Sequence, residues 1–195
     1  MRVLITCECS GRVRDAFSAL GHYAVSCDIL PSETPGLHYQ GNVFDIIGDE
    51  WDMIIGFPPC THICVSGARY FKDKIEVQRE AIAFFMALIN ADIPKICIEN
   101  PVGIMSTVYR KPDQYIQPYQ FGHDASKKTG LWLKGLSVLT IDPLQYVPPR
   151  IVDGKERWSN QCDSGQNKLG PSDTRAGERA RTYPGIARAM ALHWG

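Results

Sequence analysis

The chain has 195 residues, 44% of them hydrophobic and 22% charged, so it can bury the core of one ordinary globular domain. It contains no run of 18 apolar residues and begins directly with a strand-like segment, so we expect neither a membrane span nor a signal peptide. Seven cysteines without a regular spacing predict reduced thiols in a cytoplasmic protein.

The formal net charge is zero, but the charges are unevenly distributed along the chain. Residues 1–105 carry 8 Lys/Arg against 13 Asp/Glu (net −5), and residues 106–195 carry 13 against 8 (net +5). A small molecule in the acidic half and a polyanion on the basic half fit this pattern. A solvated surface with a chance imbalance fits it equally well.

The predicted elements alternate between strands and helices. We predict strands over residues 3–6, 23–27, 51–55 and 95–98, a short third element from residue 41, and helices over 13–20 and 73–91. Residues 29–40, with two prolines and a glycine, are predicted to be a loop. The alternation predicts one α/β domain over residues 1–195, with a mostly parallel sheet, helices on both faces, and the cofactor and catalytic core within residues 1–110.

The later part of the chain has a different character. Residues 115–121 and 130–133 are predicted to pair as two strands, and residues 185–193 to form a last helix. Residues 140–181 are basic and show little periodicity, which is typical of a functional or mobile segment. We therefore predict that residues 140–181 form a substrate-binding segment.

Two short segments at predicted strand ends carry the candidate chemistry. Residues 56–60 (GFPPC) follow one strand, and residues 99–101 (ENP) follow the next. Because open α/β sheets place their chemistry at the carboxyl ends of strands, we expect Cys60 and Glu99 to lie together. A thiolate that adds to C6 of a pyrimidine, with an acid that relieves charge at N3, would make C5 reactive toward a methyl donor.

Two simpler interpretations of Cys60 stay open. A cysteine is often a small buried hydrophobe, and the two prolines before it can simply shape a loop. Cys60, His62 and Cys64 are also clustered like zinc ligands, although no Cys-x-x-Cys pair is present to complete such a site. The catalytic interpretation expects a thiol whose pKa is lowered by basic groups and a helix start.

The first strand, the turn at residues 8–11 and Asp28 after the second strand are typical of a nucleotide-cofactor site. The turn has one glycine, Gly11, which favours a smaller or cationic cofactor such as S-adenosylmethionine over a dinucleotide. Any α/β protein has strand–turn–helix units that end in an aspartate, so a purely structural role is the alternative.

Together these residues resemble the DNA cytosine-5 methyltransferases. Residues 57–60 are similar to the Pro-Cys nucleophile loop of that family, with an extra proline, and residues 99–101 to its Glu-Asn-Val segment. Residues 126–129, before a Leu-Trp pair, are similar to its Gln-x-Arg-x-Arg segment, reduced to lysines. The resemblance implies that Cys60 is the nucleophile, Glu99 the acid at N3, and Lys128 the positive charge beside the base.

The resemblance also implies a Rossmann-like class I methyltransferase fold, S-adenosylmethionine as the methyl donor, and no metal. The implied cofactor residues lie at or after the predicted strand ends: Cys9, Ser10 and Gly11 in the first motif, Asp28 at the ribose, Asn42 with Asp45 as a substitute at the adenine, and Pro58. Residues 184–187 and their helix are similar to the last motif of the family, which returns to the cofactor.

The chain departs from the family in its recognition elements. The first motif lacks a second glycine, and residues 140–181 are too few for the usual target-recognition domain. The chain is most similar to the small methyltransferase-like proteins of phages and prophages. We expect it in the cytoplasm of a bacterium or a phage-infected host cell, with DNA as its partner and no membrane. A specificity partner or a homo-oligomer would supply the missing recognition.

Other functions compete with this one. Amino-methylating enzymes share the double proline, but they need a polar residue where Phe57 stands, so methylation at C5 is favoured. A catalytically silent protein that binds nucleic acid or a partner on the same fold is one alternative. A pyrimidine C5-modifying enzyme that acts on RNA or on free nucleotides is another.

Overall fold

The computed structural model describes residues 1–64, 75–170, 172 and 175–195. The strands are β1 (Arg2–Thr6), β2 (Tyr23–Asp28), β3 (His38–Gln40), β4 (Met53–Gly56), β5 (Lys95–Pro101), β6 (Gln114–Ile116), β7 (Thr129–Lys134), β8 (Arg150–Val152) and β9 (Lys155–Arg157). The helices are α1 (Arg12–Ser18), α2 (Ile75–Ile89), α3 (Met105–Val108), α4 (Arg175–Ala180) and α5 (Pro184–Trp194).

Within the described residues, seven strands form one sheet in the order β3-β2-β1-β4-β5-β7-β6. The pairs from β3 to β5 are parallel, and β7 is antiparallel to both β5 and β6. Strands β8 and β9 form a separate antiparallel hairpin. The strand order reverses between β1 and β4, as in the doubly wound fold, and this is the point at which open α/β sheets bind ligands. The predicted Rossmann-like fold is confirmed.

Helices cover both faces of the sheet because each face is apolar. On one face, α1 and α5 pack through Phe17, Met190 and Trp194 against β1 and β4. On the other, α2 packs through Phe85 and Leu88 against the same strands and β5. Each fully buried side chain of this size stabilises the fold by roughly 1.5–3 kcal/mol. The central strands are apolar on both sides for the same reason.

Several predicted boundaries differ from the structure. A parallel strand, β3, lies inside the predicted loop 29–40, and residues 43–45 form a 3₁₀ turn in place of the expected third element. Strand β4 begins at Met53, two residues later than predicted. Residues 118–121 form a 3₁₀ turn, because a turn that begins with Pro118 cannot continue the ladder through that residue's nitrogen. The predicted antiparallel pairing of the two later strands is confirmed as β6 with β7.

Strand β5 continues through residues 99–101, which were expected to follow it. The reason is β7, which runs antiparallel beside it and pairs Glu99 with Leu131 and Asn100 with Gly130. The proposed acid is therefore held by a strand rather than by a loop. Among the described helices, none is long and apolar enough to cross a membrane.

Candidate active site

The candidate nucleophile lies in a tight turn directly beyond the sheet. After β4, the N–H of Phe57 donates to the carbonyl of Thr6 (3.0 Å). Backbone hydrogen bonding to β1 therefore continues up to the two prolines. The carbonyl of Cys60 then accepts hydrogen bonds from the N–H groups of Ile63 (3.1 Å) and Cys64 (3.0 Å). This turn fixes the backbone of Cys60 at the carboxyl edge of β4.

A buried side chain joins the two predicted catalytic segments. Asn100 is 1% exposed, and its Nδ2 donates a hydrogen bond of 2.9 Å to the carbonyl of Pro58. Asn100 adjoins Glu99 in β5, and Pro58 lies two residues before Cys60. A buried amide left without its acceptor costs about 1–3 kcal/mol, so this bond holds the loop firmly beside the strand.

The charges around Cys60 act in opposite directions. Burial, followed by the neighbouring Cys64 and Glu99, raises the pKa of the Cys60 thiol to about 11. The ammonium group of Lys127 lowers that pKa, and the Cys60 and Cys64 thiols are hydrogen-bonded to each other. The expected lowering of the pKa is therefore not found. The expected neighbourhood of Cys60 and Glu99 is found, since each side chain lies within electrostatic reach of the other.

The two lysines of the basic segment have different positions. Lys127 is half-buried and acts on the Cys60 thiol, whereas the resemblance implied Lys128 in this role. Lys128 is exposed, and its ammonium lies 4.5 Å from the centre of the Tyr115 ring. Both lysines precede β7 and lie outside any regular element, so no periodic sequence pattern decides which of them acts on the thiol.

The cysteine pair gives a testable pH dependence. We expect Cys64→Ala to lower the midpoint of Cys60 alkylation below the wild-type value of about 11, because Cys64 raises the Cys60 pKa. Below its pKa the thiolate fraction rises about tenfold per pH unit, so alkylation at pH 9 should become about two- to tenfold faster.

Iodoacetamide labelling between pH 8 and 12, resolved by peptide mass spectrometry, measures this midpoint. Cys162 is the internal reference, since it lies in a distant part of the sequence and is hydrogen-bonded to Ser164. An unchanged midpoint at Cys60 in the variant would contradict the assigned role of Cys64.

The first motif is organised by a residue that the sequence did not single out. The Glu8 carboxylate is 5% exposed and accepts hydrogen bonds from the N–H groups of Val13 (2.7 Å) and Arg14 (3.3 Å) and from the Ser10 hydroxyl (3.2 Å). Burial raises the pKa of Glu8, and these donors oppose that rise. Gly11 has a φ of +73°, a backbone conformation that favours glycine. A carboxylate of the chain itself therefore caps the first turn of α1.

The other predicted cofactor residues gather at the carboxyl edge of β1 and β2. Asp28 ends β2, and its Oδ1 accepts the N–H of Leu30 (2.9 Å). Within the described part of the chain its Oδ2 has no hydrogen-bond donor. Burial and then the Asp28 charge raise the pKa of Cys9, which places the two side chains at one edge. Pro58 is buried just beyond the end of β4, next to this edge.

Asn42 and Asp45 have partners within the protein. Asn42 Oδ1 caps the 3₁₀ turn by accepting the N–H of Phe44 (3.1 Å), and Asp45 Oδ2 accepts the Tyr39 hydroxyl (3.0 Å). Both residues are exposed. Their predicted role at an adenine ring stays a prediction, and the Nδ2 donor of Asn42 is the group that would serve it.

A second buried residue, Arg14, fixes the loop beside Asp28. Its guanidinium is 1% exposed and pairs with Asp15 at 2.8 Å. It also donates to four residues of β2 and the following loop: Ser26, Ser32, Thr34 and Pro35. The buried position of Arg14 could not be predicted from a periodic pattern, because its partners lie in a loop up to 21 positions away.

The far end of the chain returns to the same edge. Arg181 forms a bidentate ion pair with Glu33, with two nitrogen–oxygen distances of 2.9 Å. Arg12 Nη1 donates a hydrogen bond to the carbonyl of Thr182 (2.8 Å). Glu33 follows Asp28 by five residues, and its N–H donates to the carbonyl of Cys9 (2.8 Å). The segment before α5 is thereby fixed next to the candidate cofactor edge.

No group of three His, Cys, Asp or Glu side chains in the described ranges is arranged to hold a metal ion. The cluster of Cys60, His62 and Cys64 lies in these ranges. Its two thiols are hydrogen-bonded to each other, and the carbonyl of His62 accepts a hydrogen bond from Gln78 Nε2 (3.0 Å).

No protein-family model and no curated protein sequence matches this chain. Among solved structures, the chain is similar to a proposed DNA modification methyltransferase encoded within a prophage of E. coli, with a TM-score of 0.47 and 19% identity. The match covers 77% of this chain and 56% of that one, so the chain spans little more than half the length of that protein. The function proposed below therefore rests on the site residues.

Proposed function

We propose that this protein transfers a methyl group from S-adenosylmethionine to C5 of cytosine in DNA, through a covalent adduct on Cys60. The observation that carries the proposal is that Cys60 and Glu99 lie within electrostatic reach of each other at the carboxyl ends of β4 and β5, next to the point where the strand order reverses. The Asn100 to Pro58 hydrogen bond supports it by fixing the two segments together. Cytosine is a substrate that needs both a nucleophile at C6 and an acid at N3.

The chain's own residues account for the activation of the ring. The Cys60 thiolate forms a bond to C6, and Glu99 donates a proton or hydrogen bond to N3, so that negative charge does not accumulate there. The positive charge of Lys127 stabilises the thiolate before attack. When bound, S-adenosylmethionine supplies a methyl group on a positively charged sulfur. Solvent water then takes the proton from C5, the Cys60 thiolate leaves C6, and a proton given to N3 returns to Glu99, which restores the aromatic ring.

The residues at the edge of β1 and β2 fit a cationic cofactor. Asp28 keeps one carboxylate oxygen without a donor among the described residues, which suits a pair of ribose hydroxyls. Cys9, Ser10 and Gly11 form the adjoining turn, while Asn42 and Asp45 follow β3 nearby. The Glu8 carboxylate already accepts the free N–H groups at the start of α1 and brings a negative charge there. An anionic pyrophosphate would be repelled by that charge, which favours a sulfonium compound over a dinucleotide.

DNA is favoured as the substrate because basic residues lie next to the candidate nucleophile. Lys127 acts on the Cys60 thiol, and Lys128 next to it in sequence is exposed. The β8–β9 hairpin adds the exposed Lys155 and Arg150, of which Arg150 is ion-paired with Asp163. Such residues bind phosphates without reading the sequence. A cytosine in a duplex would have to be flipped out to reach Cys60, at a cost of a few kcal/mol.

The proposal is tested by trapping the adduct. The protein is incubated with S-adenosylmethionine and a duplex oligonucleotide that carries 5-fluorocytosine, and intact mass is measured. Fluorine at C5 cannot leave as a proton does, so we expect a stable protein–DNA adduct that carries one additional methyl group. The same duplex with unmodified cytosine should give no stable adduct. A single-stranded RNA version distinguishes the RNA alternative, and absence of an adduct on every substrate would refute the mechanism.

A catalytically silent binding protein is the second candidate, and the raised pKa of Cys60 favours it. A thiol with a pKa of about 11 is almost fully protonated at neutral pH, as a structural cysteine is. Calorimetry separates the two functions. Binding of DNA without binding of S-adenosylmethionine would support the silent protein, whereas binding of the methyl donor would support the enzyme.

A further inference from the structure

The segment between the sheet and α5 docks onto the loop that carries Lys127. The Trp158 ring stacks on Tyr119 with 4.1 Å between ring centres and 7° between planes, and the Tyr146 ring meets Tyr119 edge-on. Trp158 is 5% exposed, and its Nε1 donates to the carbonyl of Val147 (3.1 Å). The β8–β9 hairpin leads directly into Trp158. The hairpin is thereby anchored beside residues 117–128.

Asn160 makes two reciprocal hydrogen bonds with one residue of that loop. Its Oδ1 accepts the N–H of Ser126 (2.9 Å), and its Nδ2 donates to the carbonyl of Ser126 (2.9 Å). The side-chain amide thus pairs with the backbone in the way that one strand pairs with another. Two such bonds restrict both the position and the rotation of the peptide units around Ser126.

Gln117 holds the same loop from the other side. Its Oε1 accepts the N–H of Lys127 (2.9 Å) and the hydroxyl of Ser126 (3.4 Å). The backbone at Ser126 and Lys127 is therefore bound to side chains 34 and 10 positions away. A long, flexible lysine side chain acts on a defined target only if its backbone is fixed, because an unrestrained ammonium prefers to remain in water.

We propose that Asn160 is a positioning residue, which holds the loop of Lys127 so that its charge acts on Cys60, and so makes the reactivity of the nucleophile depend on the docked segment 143–170. The catalytic consequence rests on the proposed function, whereas the effect on the thiol does not. The hairpin and the loop of Lys127 are held together by Trp158 and Asn160. A nucleic acid that binds the hairpin could therefore change the position of the Lys127 charge relative to the thiol. The segment that replaces a target-recognition domain would thus support catalysis as well as binding.

The experiment measures alkylation of Cys60 by iodoacetamide against pH in the full-length protein, resolved by peptide mass spectrometry. Four proteins are compared: wild type, Lys127→Met, Asn160→Ala and the double variant. We expect each single variant to alkylate Cys60 about two- to tenfold more slowly at pH 9, since each weakens the charge that favours the thiolate. The double variant should be no slower than Lys127→Met alone.

That last comparison separates positioning from a merely structural role. Loss of packing around the loop would expose Cys60 and speed its alkylation, whether or not Lys127 is present. Faster alkylation in Asn160→Ala, or an effect of the same size in the Lys127→Met background, would overturn the proposal. Asn167→Ala is the matched control, because Asn167 lies in the same segment and its side chain accepts only the N–H of Leu169 among the described residues (2.8 Å).

Two further measurements keep the outcome clear. If Asn160→Ala fails to fold, as judged by its melting transition, Gln117→Ala removes the other support of the loop and should give the same slower alkylation. If the wild type methylates DNA, Asn160→Ala should lower kcat with little change in KM for the methyl donor. Absence of methylation in the wild type would refute the proposed function and would leave the alkylation result to decide the role of Asn160.

Discussion

Cys60→Ala is expected to abolish methyl transfer, with a loss of roughly 10⁴-fold or more, because the proposed mechanism passes through a bond between Cys60 and C6. Without that bond C5 is not nucleophilic enough to accept a methyl group, so the loss concerns the chemical step itself. Release of tritium from C5-labelled DNA in the presence of S-adenosylmethionine measures the reaction directly. The Cys60→Ala variant should also form no adduct with the 5-fluorocytosine duplex.

The substitution should leave the fold intact, since Cys60 is half-buried and the change removes only its Sγ atom. An unchanged melting temperature and unchanged DNA binding are the controls. Methyl transfer that persists in Cys60→Ala would show that the chemistry does not pass through this thiol, and the covalent mechanism would then be wrong.

Glu99→Gln is expected to change two measurements in opposite directions. Methyl transfer should fall by about 10²–10⁴-fold, because an amide cannot give a proton to N3. Alkylation of Cys60 below pH 11 should become faster, because the Glu99 charge raises the pKa of the thiol. A single substitution that makes the thiol more reactive and the enzyme less active would separate the role of the acid from that of the nucleophile.

Asp92→Asn is the matched control for Glu99→Gln. It removes the same charge from an exposed position after α2, next to Ile93 and away from β5's carboxyl end. We expect it to change neither measurement. If Glu99→Gln lowered methyl transfer no further than Asp92→Asn, the carboxyl group would have no part in the reaction.

The strands and the candidate residues could be predicted from the sequence because their signals are local. The buried strands β1, β4 and β5 are continuous apolar runs, since helices cover both faces of the sheet. A cysteine after one run and a glutamate at the end of the next must then lie at one edge of the sheet. That reasoning needs only chain order and the rule that parallel strands share their carboxyl edge.

The partners of those residues could not be predicted, because they come from distant parts of the chain. Glu8 caps α1 through N–H groups that exist only once the helix has formed. Strand β3 is three residues long and, among the described strands, pairs with β2 alone, so its own sequence carries little signal. The hairpin β8–β9 and the stacking of Trp158 on Tyr119 also depend on contacts between distant segments.

The sequence by itself determined that Cys60 and Glu99 share the edge of a Rossmann-like sheet behind Asp28, because the periodicity of buried strands fixes where each one ends. Only the tertiary structure decided how the pair is held and charged. Pairing with β7 extends β5 through Glu99, and Asn100 holds the Cys60 loop. The charge that acts on the Cys60 thiol is that of Lys127, while the Lys128 ammonium lies over the Tyr115 ring. These choices depend on the antiparallel register and on side-chain hydrogen bonds between distant segments, which no local pattern encodes.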